Sequence, residues 1–594
     1  MTTRISRATR RNAVQPHPCA GADEVRAHLE KILAGRLFSR SDRLSRFLRF
    51  AVEQTLAGKG DQLKEQLVGI EVFDRKPDYD PRIDPIVRVE ARRLRSKLKA
   101  YYASSGRGDS VLIGLPKGSY APFFRSRAAA EPAVRKQTDE RSIVVLPFTN
   151  LTPDAGDDYF SDGLTEELIH LLTRIPKLRV VAWDTASQLR GREQDLAGIR
   201  QQLNVGAVLR GSVRRTYERV RVTSQLIDAE TGAYLWSHAY DSEMQDVFTI
   251  QEEIARAIVD TLQLTLRSGG GRKTPNLNCY NLCLQARFHT GKRTLDGLRK
   301  SIACFEQAIA ADDTSAAAYA GLADSYSLLA DHGLIDPAEA VAKARAAAEK
   351  ALTLDPQSPE ATVSLAFIRS QFDWDWVEAE SLYRRAIALN PGYSRARHWY
   401  SLDHLALLGR LDEALAEIQI ACHLDPLSQI IHEGYGYVHM LRREYSTALE
   451  KYRQLIDLDP LFYKGYSSMG RVLSLMGRYD EAIATLEKAR VLGGGVPSIV
   501  SALGQTLALA GRVAEARGHL EDLHALSKTL CIPRVCFAIL FLGLGDHQAA
   551  LRHLDEACER REMSVTALKV HPIYDPVRSE PHFNRLLQRI HLLP

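Results

Sequence analysis

Apolar positions between residues 43 and 102 recur at helical spacing. Leu44, Phe47, Leu48, Ala51, Val52 and Leu56 make one stripe within Arg43–Ala57, and Leu63, Leu67, Ile70 and Phe73 make a second within Gln62–Phe73. A third stripe, Val87, Ala91, Leu94, Leu98 and Tyr101, steps by 4, 3, 4 and 3 through Asp84–Tyr102. The spacing predicts three amphipathic helices, each with one face toward a core. Val111–Leu115 and Tyr120–Phe124 are short apolar segments around Pro116-Lys117-Gly118, a hairpin signal. Beyond residue 141 the pattern shifts. Ser142–Phe148 reads as a buried strand, followed by a helix near Tyr159–Leu172, a strand at Leu178–Trp183, a helix near Leu196–Leu203 and a segment Ala207–Thr216. Arg219–Asp228 and Ala233–Tyr240 alternate apolar and polar residues, as half-buried strands do, around a turn at Asp228–Gly232. A helix at Ile250–Leu266 closes a small α/β domain with a mixed sheet.

From there on the chain repeats itself. Alanines at 344, 379, 414, 448, 482, 516 and 550 are spaced 35, 35, 34, 34, 34 and 34 residues apart. Small residues stand 12 before several of them (Gly436, Gly470, Gly504, Ala538), and Tyr383, Tyr452, Leu486, Leu520 and Leu554 stand four after. Pro356, Pro391, Pro426 and Pro460 end units, and Tyr280–Asp313, with Phe305 and Ala308, supplies an earlier one. A 34-residue helix–turn–helix period is the tetratricopeptide signature. Small residues let helices approach, and each pair buries its face only against its neighbours. About eight repeats are expected over 278–570, with a helical cap in 571–594 near Phe583–Ile590.

Charge is distributed unevenly. The net charge of the 594 residues is +5, but residues 1–125 hold 25 Lys/Arg against 14 Asp/Glu, leaving 53 against 59 for the rest. A basic head on an acidic body fits contact with nucleic acid by the head. Within Asp84–Tyr102, Arg88, Arg92, Arg95 and Lys99 form a second stripe with Arg93 and Lys97 beside it, about 110° from the apolar stripe at 100° per residue. The helix can dock on its own domain and still present guanidinium forks suited to phosphate or a guanine edge. A merely solvated charged face has the same composition.

Three helices and a hairpin are the layout of a winged helix. Arg92-Arg93-Leu94-Arg95-Ser96-Lys97-Leu98 and Lys117-Gly118-Ser119-Tyr120 resemble the recognition-helix and wing phrases of OmpR-type winged-helix domains over roughly residues 40–124. The chain departs from that family in its longer Phe73–Pro85 segment and in having no receiver domain ahead of it. The resemblance implies binding of double-stranded DNA through Arg88, Arg92, Arg93, Arg95 and Lys99, with Lys117 on the wing. VVLPFTNLTPDAGDDYFSDGLTEEL, VGAVLRGSV and LIDAETGAYLWSHAYD resemble the TolB amino-terminal-like domains of bacterial multidomain regulators. That implies a non-catalytic interaction or sensing domain. Tetratricopeptide solenoids resemble one another in binding peptides along a concave groove. By register, Trp399, Tyr437, Lys464 and Arg471 face that groove, although Trp399 fits ordinary packing between repeats equally well.

Little in the chain points to chemistry. No Walker loop, GxSxG, HExxH or strand-following GxGxxG occurs. The eight cysteines have no CxxC spacing and no histidine set completes a zinc site, so free thiols are expected. Asp154, Asp157, Asp158 and Asp162 do not keep the order of a calcium loop and read as helix-start carboxylates. Chains with this α/β-plus-repeat body are sometimes fused to a nucleotide cyclase domain, whose paired metal-binding aspartates have no counterpart here. Neither cofactor nor metal is expected, and no run of about 18 apolar residues suits a membrane. The expected layout is a basic arm at 1–24, a winged helix at 25–124, a linker at 125–141, the α/β domain at 142–268 and the repeats. Two functions fit it: a cytoplasmic DNA-binding transcriptional regulator whose other domains bind protein partners or sense a signal, or a protein-interaction scaffold that does not bind DNA.

Overall fold

The computed structural model describes residues 22–35, 38, 41–76, 79–80, 84–103, 106, 109, 111–116, 119–126, 139–152, 158–175, 178–216, 218–262, 276–292, 294–331, 337–528 and 530–593. Contacts divide the chain into two compact units, Met1–Gln137 and Thr138–Pro594.

The first unit holds helices α1 (Ala22–Ala34), α2 (Asp42–Leu56), α3 (Glu65–Phe73) and α4 (Ile86–Ala103), then strands β1 (Val111–Gly114) and β2 (Phe123–Ser126). α1 is not in the sequence reading, and it takes residues 22–24 from the expected basic arm. Its signals are nonetheless ordinary ones. Asp23 and Glu24 sit in the first turn, where they favour the helix dipole, and Val25, Leu29 and Ile32 are fully buried. α3 starts later than expected because Gly60–Gln62 forms a 3-10 turn first. One core joins the elements through Phe47, Leu48, Val68, Val87, Leu94 and Ile113. Enclosing Phe47 alone contributes roughly 1.5–3 kcal/mol. β1 and β2 pair antiparallel from Val111↔Ser126 to Gly114↔Phe123.

The second unit begins with β3 (Asp139–Val145), β4 (Thr149–Asn150), α5 (Asp158–Thr173), β5 (Arg179–Val180), α6 (Trp183–Ser187), α7 (Leu196–Leu203), β6 (Val205–Arg215), β7 (Arg219–Asp228), β8 (Tyr234–Glu243) and α8 (Val247–Thr261). The sheet order is β5-β3-β6-β7-β8, with β4 also on β6. β3 runs parallel to β5 and β6, while β6, β7 and β8 are antiparallel, so the sheet is mixed as expected. α6 replaces the end of the strand expected to reach Trp183.

Eight helical pairs follow: α9 (Leu277–Gly291) with α10 (Leu295–Ala311), α11 (Ala316–Asp331) with α12 (Pro337–Leu354), α13 (Pro359–Ile368) with α14 (Trp376–Leu389), α15 (Ser394–Tyr400) with α16 (Leu411–Leu424), α17 (Gln429–Leu441) with α18 (Tyr445–Leu458), α19 (Tyr463–Leu475) with α20 (Tyr479–Gly493), α21 (Pro497–Leu509) with α22 (Val513–Leu526), and α23 (Arg534–Leu544) with α24 (His547–Glu559). α13 and α15 run on into π-helical turns at 369–373 and 401–405. The spaced glycines have a packing cause. A Cβ on Gly436 would stand 2.4 Å from the Tyr452 ring, and one on Gly470 would stand 2.6 Å from Leu486 Cγ. α25 (Pro581–Arg589) closes the chain.

The α/β region and the repeats are in contact within the second unit. Leu284 of α9 lies in the core of the α/β layer, and a Cβ on Gly163 of α5 would meet it at 2.6 Å. Arg287 of α9 pairs with Glu167 of α5. Thr185 Oγ1 donates to Asp425 Oδ1 at 2.6 Å and accepts from Leu427 N at 2.7 Å. Gln188 Nε2 donates to Leu427 O, and Asn390 Nδ2 to Thr173 Oγ1.

Candidate nucleic-acid interface and repeat groove

α4 is started by Asp84, whose Oδ1 accepts from Ile86 N at 3.1 Å, and Tyr79 fixes that corner by donating to Asp84 O at 2.7 Å. Val87, Ala91, Leu94, Leu98 and Tyr101 are all buried, so the apolar stripe is the docking face. The far end is tied down by Asp109, which accepts from Tyr101 at 2.8 Å and from Lys31 at 2.5 Å. Burial raises the Asp109 pKa, but the hydrogen bonds from Lys31 and Tyr101, with the His28 charge, outweigh it and leave the pKa below the usual carboxylate range.

The opposite face carries Arg88, Val89, Arg92, Arg93 and Ser96, all exposed. Val89 is 45% exposed, unusual for a valine beside three arginines. Arg88 Nε donates to Glu65 of α3 at 2.8 Å, a bond that raises the pKa of the guanidinium. Arg93 pairs with the buried Glu90 at 2.8 Å. The Arg92 side chain makes no hydrogen bond or ion pair among the described residues. Lys97 turns away to Ser41 and the Phe38 ring. Arg95 is engaged within the unit. Although it belongs to the cationic stripe, its guanidinium donates to the carbonyls of Leu115, Pro116 and Ser119 beside the hairpin. The Lys99 side chain and all of Lys117 lie outside the described residues.

Within the repeats, the four expected groove residues separate. Trp399 is 6% exposed and packs its ring 4.8 Å from that of Phe367, so it belongs to the core between repeats. The Tyr437 ring lies 6.0 Å from His571, and Arg471 Nη2 donates to Ser498 O at 2.7 Å. Burial lowers the Arg471 pKa. Lys464 is half-buried and makes no polar contact among the described residues.

The repeats also meet the chain's own C-terminal segment. Asp575 pairs with Arg443 at 2.9 Å, Thr566 donates to Gln371 at 2.9 Å, and Trp376 Nε1 donates to Ile590 O at 3.1 Å. Tyr574, Val577 and Phe583 are buried in a cluster that also holds Trp374, Trp376 and Leu407. Register alone does not show which residues of the chain pack against Tyr437. His571, packed there, has its pKa pushed down to about 3 by burial, with Arg471, Arg443 and Arg578 adding to the effect.

Among the described residues no cluster of His, Cys, Asp and Glu could hold a metal, and no helix is long and apolar enough to cross a membrane. Asp162 pairs with Arg190, and Asp158 accepts from Asn150 at 2.9 Å. Asp154 and Asp157 lie outside the described residues. The described cysteines are free thiols.

A tetratricopeptide repeat model matches residues 375–428, 403–461 and 468–527, and the chain carries these repeats. A protein of Rhizobium meliloti (strain 1021), provisionally named adenylate cyclase 3, is 37% identical over 155 residues, 25% of this chain and 26% of that protein. The transcriptional regulator HilA of Salmonella typhimurium (strain LT2) is 28% identical over 143 residues, 24% of this chain and 26% of HilA. The chain spans about a quarter of the length of these relatives. Among solved structures, YrrB, described as a tetratricopeptide protein with an unusual peptide-binding site, aligns with 32% of this chain and 91% of its own, at 19% identity and a TM-score of 0.23.

Proposed function

We propose that this protein is a cytoplasmic, non-catalytic DNA-binding transcriptional regulator. In this reading residues 25–124 are a winged helix, with α4 as the recognition helix and β1–β2 as the wing. The observation that carries it is the outer face of α4. One face of the helix is consumed by the core, while the other sets Arg92, without a polar partner among the described residues, beside Arg88, Arg93 and an exposed Val89. Arg92 is the best placed to read a guanine edge, and Val89 suits a thymine methyl. Arg88 and Arg93 contribute next to it from their carboxylate partners. Lys99 and Lys117 are proposed as phosphate contacts. The partial similarity to a protein named as a transcriptional regulator supports the reading.

The second unit, a TolB-like α/β layer on tetratricopeptide repeats in this proposal, binds protein partners or senses a signal. A partner entering the groove near Tyr437, Lys464 and Arg471 competes with residues 571–575 of the chain itself. The alternative is a scaffold without DNA binding, favoured by the extent of the repeats. Titrating the full chain against selected and random duplexes at two salt concentrations separates the two. Tight, salt-dependent binding with a preference for the selected duplex is expected. Absence of binding to either duplex at low salt leaves the scaffold.

A further inference from the structure

Arg95 lies on α4 next to Arg92 on the cationic stripe, and its environment differs in kind. Its Nε donates to Leu115 O and Pro116 O, each at 3.1 Å, and its Nη2 donates to Pro116 O at 2.8 Å and Ser119 O at 3.0 Å. The β1–β2 ladder ends at Gly114↔Phe123, so these three carbonyls lie beyond the reach of the strand pairing. A planar fork with five donors can satisfy several converging acceptors at once. Arg88, on the same helix, is tied to α3 instead: its Nε donates to Glu65 Oε1 at 2.8 Å.

We infer that Arg95 is a positioning residue: it fixes the hairpin against α4 so that helix and hairpin meet DNA as one preset surface, and it does not contact phosphate. The purpose assigned to this clamp rests on the DNA-binding reading above; the clamp itself does not. Holding two contacting elements in their bound arrangement beforehand reduces the ordering lost on binding, which raises affinity without adding a contact.

The test compares full-length wild type, R95A and R92A by hydrogen exchange at residues 111–126 and by DNA titration across salt. R95A is expected to exchange at least about tenfold faster over 111–126, with α1–α3 unchanged, whereas R92A leaves the hairpin at the wild-type rate. On DNA, R95A is expected to lose about tenfold or more in affinity for the selected duplex at an unchanged salt slope, so the ratio of specific to random binding falls. Loss of one phosphate contact instead lowers the slope by about 0.9. A lowered slope with wild-type hairpin exchange overturns the inference, as does wild-type behaviour in both assays. Partial unfolding lowers specific and random binding together and speeds exchange throughout α1–α4. In that case R95M, which keeps the aliphatic stem without donors, is held to the same outcomes. If wild type binds no duplex, the DNA reading fails, while the exchange arm still decides whether the clamp exists.

Discussion

At the residue scale, α4 divides its arginines by what each already touches. Arg92 has no polar partner among the described residues, so its removal leaves no buried group unsatisfied. R92A is expected to keep the fold and to cost about 1–3 kcal/mol against the preferred duplex, with relaxed preference at one base position. Equal losses on selected and random duplexes would place Arg92 on the phosphate backbone instead. The split among Arg88, Arg92, Arg93 and Arg95 was not legible from spacing. Periodicity places all four outside the apolar stripe, but the carbonyls that engage Arg95 lie 20 or more residues away in sequence. A second residue-scale prediction concerns His571. Its folded-state pKa lies near 3, below the ordinary value of 6.5, so the neutral ring is the native form. Between those values the unfolded chain binds a proton that the folded chain does not, and stability therefore falls as pH drops through that window. H571N is expected to match wild type near pH 7.5, since its Oδ1 can accept from Ile573 N as His571 Nδ1 does at 3.1 Å. Below pH 6 its denaturation midpoint should decline less than that of wild type. A wild-type–H571N difference that stays constant from pH 7.5 to 4.5 would show that the ring does not stay neutral in the groove.

At the element scale, the repeat is the part that the sequence conveyed best, because one packing constraint recurs every 34 residues. Ala482 is fully buried, and a Cβ on Gly470 would lie 3.3 Å from its carbonyl oxygen. A482L is therefore expected to destabilise the second unit by roughly 1–3 kcal/mol through overpacking of α19 on α20, measured by chemical denaturation. An unchanged midpoint would mean that the two helices have room to separate. The mixed sheet was also legible: buried and exposed positions alternate along β7, whereas no residue of β8 is buried. The α1 stripe of Val25, Leu29 and Ile32 follows an arginine-rich segment, so charge masks its periodicity. The seating of Trp399 against Phe367 could not be chosen from register, since an aromatic at that position can line a groove or fill the gap between repeats.

At the scale of the whole molecule, contacts divide the chain into two units, the second holding both the α/β layer and the repeats. Boundaries read from linkers report where the chain is polar, not which surfaces meet across them. The α/β layer meets the repeats through buried Leu284 and Thr185, the Arg287–Glu167 pair and backbone bonds such as Ala182 N to Leu424 O at 3.1 Å. Burial raises the Glu166 pKa beside that pair, so the joint is a desolvated place where unpaired charge is costly. Limited proteolysis of the full chain should therefore cut first within 127–138 and release Met1–Gln137 as a separate product. A cut within 263–275 should behave differently. The two fragments it creates should stay associated through gel filtration under native conditions and separate only in denaturant. E167A should weaken that association, because it removes the hydrogen-bonded partner of Arg287 in the joint and leaves only Glu166 nearby. Fragments that part without denaturant would mean that the connecting segment, rather than the packed surfaces, holds the α/β layer to the repeats.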